Sequence, residues 1–167
     1  EDYKNIRKNL FNHLSKNNDG IEKEIIFLKA QKILDRFIFI CFCEDSGNLL
    51  PKDIIKRTYE LGKGSRRRTN QKIWDEFKNL FMDIDLGRYD INPKINKYNG
   101  GLFSEDTILD KLNILDDIWS ELVKISNYDF ETDLTVNILG HIFEQSISDL
   151  EEIKQSLVES SKATQNN

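Results

Sequence analysis

Cysteine is scarce in this sequence of 167 residues, and the scarcity excludes a disulfide framework. The two cysteines, Cys41 and Cys43, lie two positions apart. Side chains two positions apart on a helix point to different sides, and no second cysteine pair is present to complete a zinc ligand set. We therefore interpret both as small buried hydrophobic residues, and we expect a reducing, cytoplasmic location.

Long hydrophobic runs are also missing. The longest, Phe37 to Cys43, falls far short of the roughly 20 residues that a membrane-spanning helix needs, and no secretory signal is present. The chain begins at Glu1 rather than Met and ends in a polar stretch, residues 160–167. We expect one helical domain over residues 1–167, a fragment of a larger multidomain protein, with a disordered tail at 160–167.

Residue patterns that support catalysis or metal binding are few. No Gly-rich phosphate loop follows a strand, and no Ser or Cys nucleophile has a histidine base placed to serve it. His141 and Glu144 share a helical face but are too few to hold a metal, and His13 lies in a surface-like helix. The segments 76–78 and 152–154, both Glu-Xaa-Lys, resemble the end of a nuclease motif, but each lies in a helical pattern. The sequence therefore predicts no catalytic residue, no cofactor-binding residue and no metal ligand.

Two pairs of carboxylates are the remaining candidates for catalysis. Glu44 with Asp45 and Asp83 with Asp85 both fall at predicted helix ends. Carboxylates in such positions more often cap a neighbouring helix or meet an arginine such as Arg36. A stand-alone hydrolase that uses Glu44, Asp45 or Asp83 is accordingly the weakest of the functions considered.

Large apolar side chains at helical spacing are abundant. Ten Phe, five Tyr and two Trp indicate a packed core. Apolar residues recur every three or four positions, with stop signals between the runs, so the sequence predicts an all-α protein, an irregular multi-helix bundle of about six to seven helices. The predicted helices are Tyr3 to Leu14 with a stop at Asn17 to Gly20, Ile21 to about Asp45, a helix opened by Pro51 and closed by Gly62 and Gly64, Ile73 to Ile84 ended by Gly87, a short helix after Ser104, Leu115 to Leu122, and Asp133 to Leu157.

The second of these helices is the predicted centre of the fold. Its pattern, near residues 21–46, becomes apolar on nearly every side toward its end, which is typical of a long buried helix. A buried strand over residues 37–43 stays open as an alternative, because periodicity cannot distinguish the two for a short apolar run. Residues 88–103 are expected to be irregular or briefly extended, with a Gly-rich turn at 99–101 that needs positive φ.

Charge is unevenly distributed along the chain. The net charge is -5, yet residues 1–98 hold 20 basic and 15 acidic residues, whereas residues 99–167 hold 4 basic and 14 acidic residues. The segment 63–72 has no acidic residue and carries five cations: Lys63, Arg66, Arg67, Arg68 and Lys72. Such a loop suits contact with a phosphate backbone, and a solvated loop that touches nothing is the alternative. If DNA binds, we expect it on this basic face, with the acidic C-terminal helices turned away.

Several separated segments resemble one family. The run from Phe27 to Pro51, with its core LDRFIFICFCEDSGNLLP, is similar to the α-helical region of fused type II (IIG-like) restriction-modification enzymes. Further matches follow in the expected order: WDEFKNLFMDIDLG at 74–87, YNGGLF at 98–103, YDF at 128–130 and VNILGHIFEQSISDLEE at 136–152. Asn48 adds a residue relative to the usual spacing before Pro51.

The resemblance implies a place within a larger enzyme. In that family one polypeptide joins an endonuclease domain, an α-helical connector, an adenine-N6 DNA methyltransferase and a target-recognition domain, and the last matching segment lies just upstream of the methyltransferase. The resemblance therefore implies a non-catalytic connector from a bacterial defence enzyme that uses S-adenosylmethionine and Mg²⁺ outside this segment. The implied partners are double-stranded DNA and the neighbouring nuclease and methyltransferase domains. A helical protein-interaction scaffold without nucleic-acid contact, working through its acidic helices, is the alternative.

Overall fold

The computed structural model of the chain describes residues 2–45, 49–98 and 100–127, together with Glu159, Lys162, Ala163 and Gln165. The chain divides into two compact units, Glu1–Thr132 and Asp133–Asn167. In the second unit, the four described residues are helical and exposed. The predicted helix from Asp133 to Leu157 and the predicted tail at 160–167 otherwise lie outside the described residues, as do His141, Glu144 and Asn48.

The first unit is built from helices, which confirms the predicted all-α class. Its described residues form six α-helices and two 3-10 turns, and contain no strand beyond one isolated antiparallel bridge between Arg88 and Ile95. The elements are α1 (Asp2–Asn17), α2 (Lys23–Asp45), α3 (Ile54–Lys63), α4 (Lys72–Leu86), α5 (Thr107–Asp110) and α6 (Trp119–Leu122), with 3-10 turns at Asp116–Ile118 and Val123–Asn127 on either side of α6.

The long buried helix is present as α2, close to the predicted bounds. It has 23 residues, and every residue from Ile33 to Cys41 is buried. The strand alternative over residues 37–43 is wrong, because all seven of these residues are helical and belong to one unbroken α2 that continues to Asp45. At 1.5 Å per residue the helix is about 34 Å long, so it runs through the unit as a central support.

Aromatic rings from three helices fill the core around α2. The ring of Phe77 stacks on Trp119 with centroids 4.7 Å apart, and Trp119 stacks on Trp74 at 5.7 Å. Phe37 of α2 packs on Phe77 at 5.0 Å. Buried aromatic pairs of this kind contribute about 0.5–1.5 kcal/mol beyond the area that they bury. The core therefore holds α2, α4 and α6 in fixed positions.

The end of α1 follows the predicted stop signal. Asn18 is buried, and its side-chain amide donates to the carbonyl oxygens of Leu14 and Asn113, while its side-chain oxygen accepts from the Asn113 N–H. Because each polar atom of the Asn18 side chain has a hydrogen-bond partner, the residue can be buried at the end of α1. It also ties that end to the distant segment around Asn113.

The start of α3 differs from the prediction. Pro51 lies three residues before the helix, which begins at Ile54 after Asp53 in a left-handed conformation at φ 58°. The helix ends at Lys63 with Gly64 as its C-cap, as predicted, but Gly62 does not close it. Gly62 is buried inside the helix because α4 approaches closely there: a Cβ added to it would lie 2.7 Å from the Cα of Ile73.

The segment that follows α4 is irregular, as predicted. Gly87 ends α4 at φ 80°, where a side chain is strained. The predicted turn at 99–101 falls partly outside the described residues, which omit Asn99; neither Gly100 nor Gly101 adopts a left-handed conformation. Gly100 lies against the ring of Tyr98, so a Cβ added there would displace that ring.

Candidate nucleic-acid interface

The basic loop, residues 63–72, joins the end of α3 to the start of α4. It includes the last residue of α3, Lys63, and the first residue of α4, Lys72. The close approach of Gly62 to Ile73 brings the two helices together directly beside the loop. The loop is therefore carried by a tightly packed helical hairpin.

Hydrogen bonds within the loop fix its shape. The ammonium of Lys72 donates to the carbonyl oxygen of Lys63 at 3.0 Å and to that of Ser65 at 3.5 Å. The hydroxyl of Ser65 accepts from the Arg67 N–H at 3.3 Å, and the hydroxyl of Thr69 accepts from the Gln71 N–H at 3.2 Å. Hydrogen bonds between a side-chain hydroxyl and the backbone two residues further along are typical of ordered turns.

A second set of contacts ties the loop to the segment 113–116. The side-chain amide of Gln71 accepts from the Ile114 N–H at 3.0 Å and donates to the Asn113 side chain at 3.2 Å. The Asn70 carbonyl accepts from the Asp116 N–H at 2.8 Å, and the Asp116 carboxylate accepts from the Ile73 N–H at 3.0 Å. The carboxylate thus caps α4 and anchors the C-terminal end of the loop, to which Lys72 ties the carbonyl oxygens of Lys63 and Ser65.

Three arginines project from this anchored backbone. Arg66, Arg67 and Arg68 are exposed. Arg67 lies 3.5 Å from the Asp75 carboxylate, but its side chain is 66% exposed, so that ion pair is weak. Among the described residues, Arg66 and Arg68 have no ion pair or hydrogen bond through their guanidinium groups. The three guanidinium groups are therefore available to an external anion.

The two lysines of the loop have other roles. Lys72 is half-buried and binds the loop backbone, so it supports the loop more than it presents charge. Lys63 is exposed, with its ammonium 5.1 Å from the centroid of the Tyr59 ring and 4.0 Å from the Glu60 carboxylate. The sequence does not distinguish the five cations of the loop. The structure places the three arginines in open solvent, Lys63 against the Tyr59 ring and Lys72 against the loop backbone.

This arrangement is suited to phosphate. Arginine guanidinium groups bind phosphate oxygens through paired N–H donors, and cations that neutralise phosphates release condensed counterions. Contacts to phosphates position a protein on a duplex and carry no sequence information by themselves. The geometry fits backbone contact without base reading.

The predicted carboxylate pairs are used inside the fold. Glu44 accepts from the Ile55 N–H at 3.0 Å and so caps α3, and its burial raises its pKa. Asp83 lies 3.4 Å from Arg88, and Asp45 is exposed at the end of α2. The expectation that these carboxylates cap helices or meet an arginine therefore holds for Glu44 and Asp83.

Arg36 meets backbone carbonyls rather than a carboxylate. Its guanidinium donates to Leu102 O at 2.7 Å and to Ser104 O at 3.1 Å, and lies 4.9 Å from the centroid of the Phe81 ring. Burial lowers the pKa of Arg36 to about 10, which leaves it charged at neutral pH. Arg36 thus connects α2 to the backbone at Leu102 and Ser104, and the sequence contains no local signal for that role.

The structure also contains a buried ion cluster, Asp106 with Lys29 and Lys32, that the sequence does not indicate. Asp106 accepts from the ammonium of Lys29 at 2.7 Å and from that of Lys32 at 3.0 Å, and its carboxylate also caps α5 through the Leu109 N–H. Burial alone would raise the pKa of Asp106, but these hydrogen bonds outweigh burial and lower the pKa well below its ordinary value. More than 70 residues separate the partners in sequence, so periodicity could not associate them.

The other candidates from the sequence also pack into the first unit. Cys41 and Cys43 are buried free thiols, and burial raises the pKa of Cys43 to about 12. His13 is not on a surface: its Nε2 accepts from the Leu115 N–H at 3.0 Å. The segment 76–78 lies on α4 with Phe77 buried, whereas 152–154 lies outside the described residues.

Comparisons with known proteins returned no relatives. No family model matches the chain, and neither the curated proteins nor the solved structures contain a match. Within residues 2–45, 49–98 and 100–127, no helix is long and apolar enough to cross a bilayer. The same residues contain no group of three or more His, Cys, Asp or Glu side chains placed to share a metal ion.

An open groove lies between α3, α4 and the segment 88–95. Its volume is about 550 Å³. Two large apolar side chains in its walls are well exposed, Leu61 at 63% and Met82 at 58%. Arg57 and Arg88 line it together with Glu76 and Asp83, so its polar groups carry both signs of charge.

Proposed function

We propose that this chain is a non-catalytic helical connector of a restriction-modification enzyme, and that it contacts the DNA backbone through the basic loop. In this proposal the chain spaces an endonuclease domain from an adenine-N6 methyltransferase domain in a bacterial cytoplasm. The family assignment is supported by the ordered series of sequence segments described above, of which those at 128–130 and 136–152 lie outside the described residues.

The observation that carries the DNA contact is the state of the three arginines. They stand exposed on a loop whose two ends are anchored by Lys72, Gln71 and Asp116. An anchored loop loses little conformational entropy on binding, and exposed guanidinium groups lose little ion pairing. Both conditions favour phosphate contact over a solvated loop without a partner.

The spacing role is supported by the rigid centre of the first unit. The helix α2 is held along one side by the aromatic core and at Arg36 by two carbonyl oxygens. A buried helix about 34 Å long with such contacts resists bending and would hold adjoining domains at a fixed separation.

The DNA contact is tested by titrating the 167-residue chain with two unrelated duplexes of equal length at low salt. We expect similar affinities for both duplexes and a loss of about 10-fold or more in the triple variant R66A/R67A/R68A. The matched control is K4A/K8A/K16A, which removes three exposed lysines from α1 and should lose much less. Equal losses in the two triple variants would contradict a contact localised at the loop.

The connector assignment has a separate test in the coding sequence that follows Asn167. An S-adenosylmethionine-binding motif and then an adenine-methylation motif shortly downstream would support it. A different domain at that place would contradict it, whatever the outcome of the DNA titration.

The groove favours the protein-interaction scaffold as a second candidate. Exposed Leu61 and Met82 face a groove of about 550 Å³, and methionine is frequent in adaptable binding surfaces. Replacing Leu61 and Met82 by Ser should abolish partner binding if the chain is a scaffold, while leaving DNA affinity unchanged. This variant separates the two functions in one protein.

A further inference from the structure

The outward face of α3 continues the positive charge of the basic loop. Lys56 and Lys63 lie seven residues apart, which places them on one face about 10 Å apart along the helix axis. Lys52 is exposed in the turn that precedes the helix. Among the described residues, neither Lys52 nor Lys56 has an ion pair. Residues 52–72 together hold eight basic and two acidic residues, in a chain whose net charge is -5.

We propose that a DNA duplex lies along α3, and that Lys52, Lys56 and Lys63 bind backbone phosphates in line with the arginines of the loop. This inference rests on the proposed DNA contact and extends it to a surface that the sequence did not indicate. The ten residues of α3 span about 15 Å, which corresponds to roughly four base pairs of duplex. The loop arginines lengthen the contact beyond that span.

The opposite face of α3 shows why the lysines point outward. Ile54, Ile55, Thr58 and Gly62 are buried, and they occupy one side of the helix. Lys56, Glu60 and Lys63 occupy the other side and are exposed. The helix therefore presents Lys56 and Lys63 on one face of a rigid support, with Lys52 exposed in the turn before it.

The surface is suited to a duplex and not to a single strand. Proteins that bind single strands combine cations with aromatic rings on which bases stack. The basic loop contains no aromatic residue, and the nearest ring on α3, Tyr59, is covered on one face by the ammonium of Lys63. Exposed cations on one helix face without a free stacking ring match the regular backbone of a double helix.

One acidic residue lies within this row. Glu60 is four residues after Lys56 and three before Lys63, its side chain is 69% exposed, and its carboxylate lies 4.0 Å from the Lys63 ammonium. A phosphate backbone laid on this face would meet that negative charge directly. Removing the charge should therefore strengthen binding, an effect that no structural role of Glu60 would produce.

The experiment compares DNA affinity and its salt dependence for the 167-residue chain, for R66A/R67A/R68A and for three further variants. We expect K52A/K56A to bind a duplex about 5- to 10-fold more weakly at low salt and to lower the salt slope by about 2. We expect E60Q to bind about 3-fold more tightly. The matched control is K4A/K8A, two exposed lysines at the same spacing on α1, which should change affinity by less than about 2-fold. Thermal unfolding of each variant shows whether the fold is retained.

The outcomes separate this inference from the proposed function. If R66A/R67A/R68A loses affinity while K52A/K56A and E60Q behave as the unaltered chain, the loop contacts DNA and the contact along α3 is refuted. If none of the loop and α3 variants differs from the K4A/K8A control, both the inference and the DNA contact are refuted. Tighter binding of a single strand than of the duplex would also overturn the assignment of the partner.

Discussion

The ammonium of Lys72 donates to the carbonyl oxygen of Lys63 at 3.0 Å, so the first residue of α4 holds the last residue of α3. The same ammonium reaches the Ser65 carbonyl at 3.5 Å. A charged donor shared by two carbonyls closes the base of the loop while leaving its arginines outside. The most basic stretch of the sequence thus divides into one framework cation and a group of exposed cations.

Removing that donor should loosen the loop without unfolding the protein. In K72M the aliphatic part of the side chain is retained, so we expect a loss of only about 1 kcal/mol in the free energy of unfolding. Hydrogen exchange at the Arg67 and Gln71 amides should become faster. The control is K94M, which alters an exposed lysine with no hydrogen bond through its ammonium in the described part of the chain. Unchanged exchange in K72M would show that the loop is held by other contacts.

Arg36 is expected to be far more important for stability than a surface arginine. In R36M the carbonyl oxygens of Leu102 and Ser104 lose their donor in a buried site, so we expect a loss of about 2–4 kcal/mol. Urea unfolding measures the difference, with K23M as a control at an exposed position. A loss of under about 1 kcal/mol in R36M would mean that water or a relaxed backbone satisfies these carbonyls.

The buried ion cluster should contribute strongly to stability, and the contribution of Asp106 should depend on its lysine partners. D106N leaves the ammonium groups of Lys29 and Lys32 buried without their carboxylate, and the Lys29 side chain is only 4% exposed. We expect D106N to lower the free energy of unfolding by about 3–5 kcal/mol. The double variant K29M/D106N should lose less than the sum of the losses in K29M and D106N. Because the folded-state pKa of Asp106 is lowered, its contribution is present above the ordinary pKa of 3.8 and is lost as pH falls below it. Additive single losses would argue against the coupling.

His13 should make stability fall in mildly acidic solution. Burial lowers its pKa below the ordinary value of 6.5, against the opposing effect of the Asp117 carboxylate, while Lys16 lowers it further. Below pH 6.5 the unfolded chain therefore binds more protons at this site than the folded chain, so the free energy of unfolding decreases as pH falls. Protonation also removes the acceptor for the Leu115 N–H. In H13Q the urea midpoint should change less between pH 7.5 and 5.5, and identical profiles for both proteins would refute the assignment.

The sequence predicted elements whose signals are local. The apolar residues of α2 and the Gly87 stop of α4 each act within a few residues, and both predictions are confirmed. The prediction that Gly62 closes α3 is wrong, because its need for a small side chain arises from Ile73, in the next helix. His13 was placed on a surface because its partner, Leu115, is 102 residues away. The loop was found from charge alone, but the different role of Lys72 depends on backbone geometry that the sequence does not display.

The salt dependence of duplex binding tests the central claim most directly. If the loop arginines neutralise phosphates, the slope of log K against log salt for R66A/R67A/R68A should be less steep than that of the unaltered chain by about 2 to 3, since each lost phosphate contact contributes about 0.9. The slope of K4A/K8A/K16A, which carries the same change in net charge, should stay close to that of the unaltered chain. Equal slopes for the unaltered chain and the arginine variant would contradict the account.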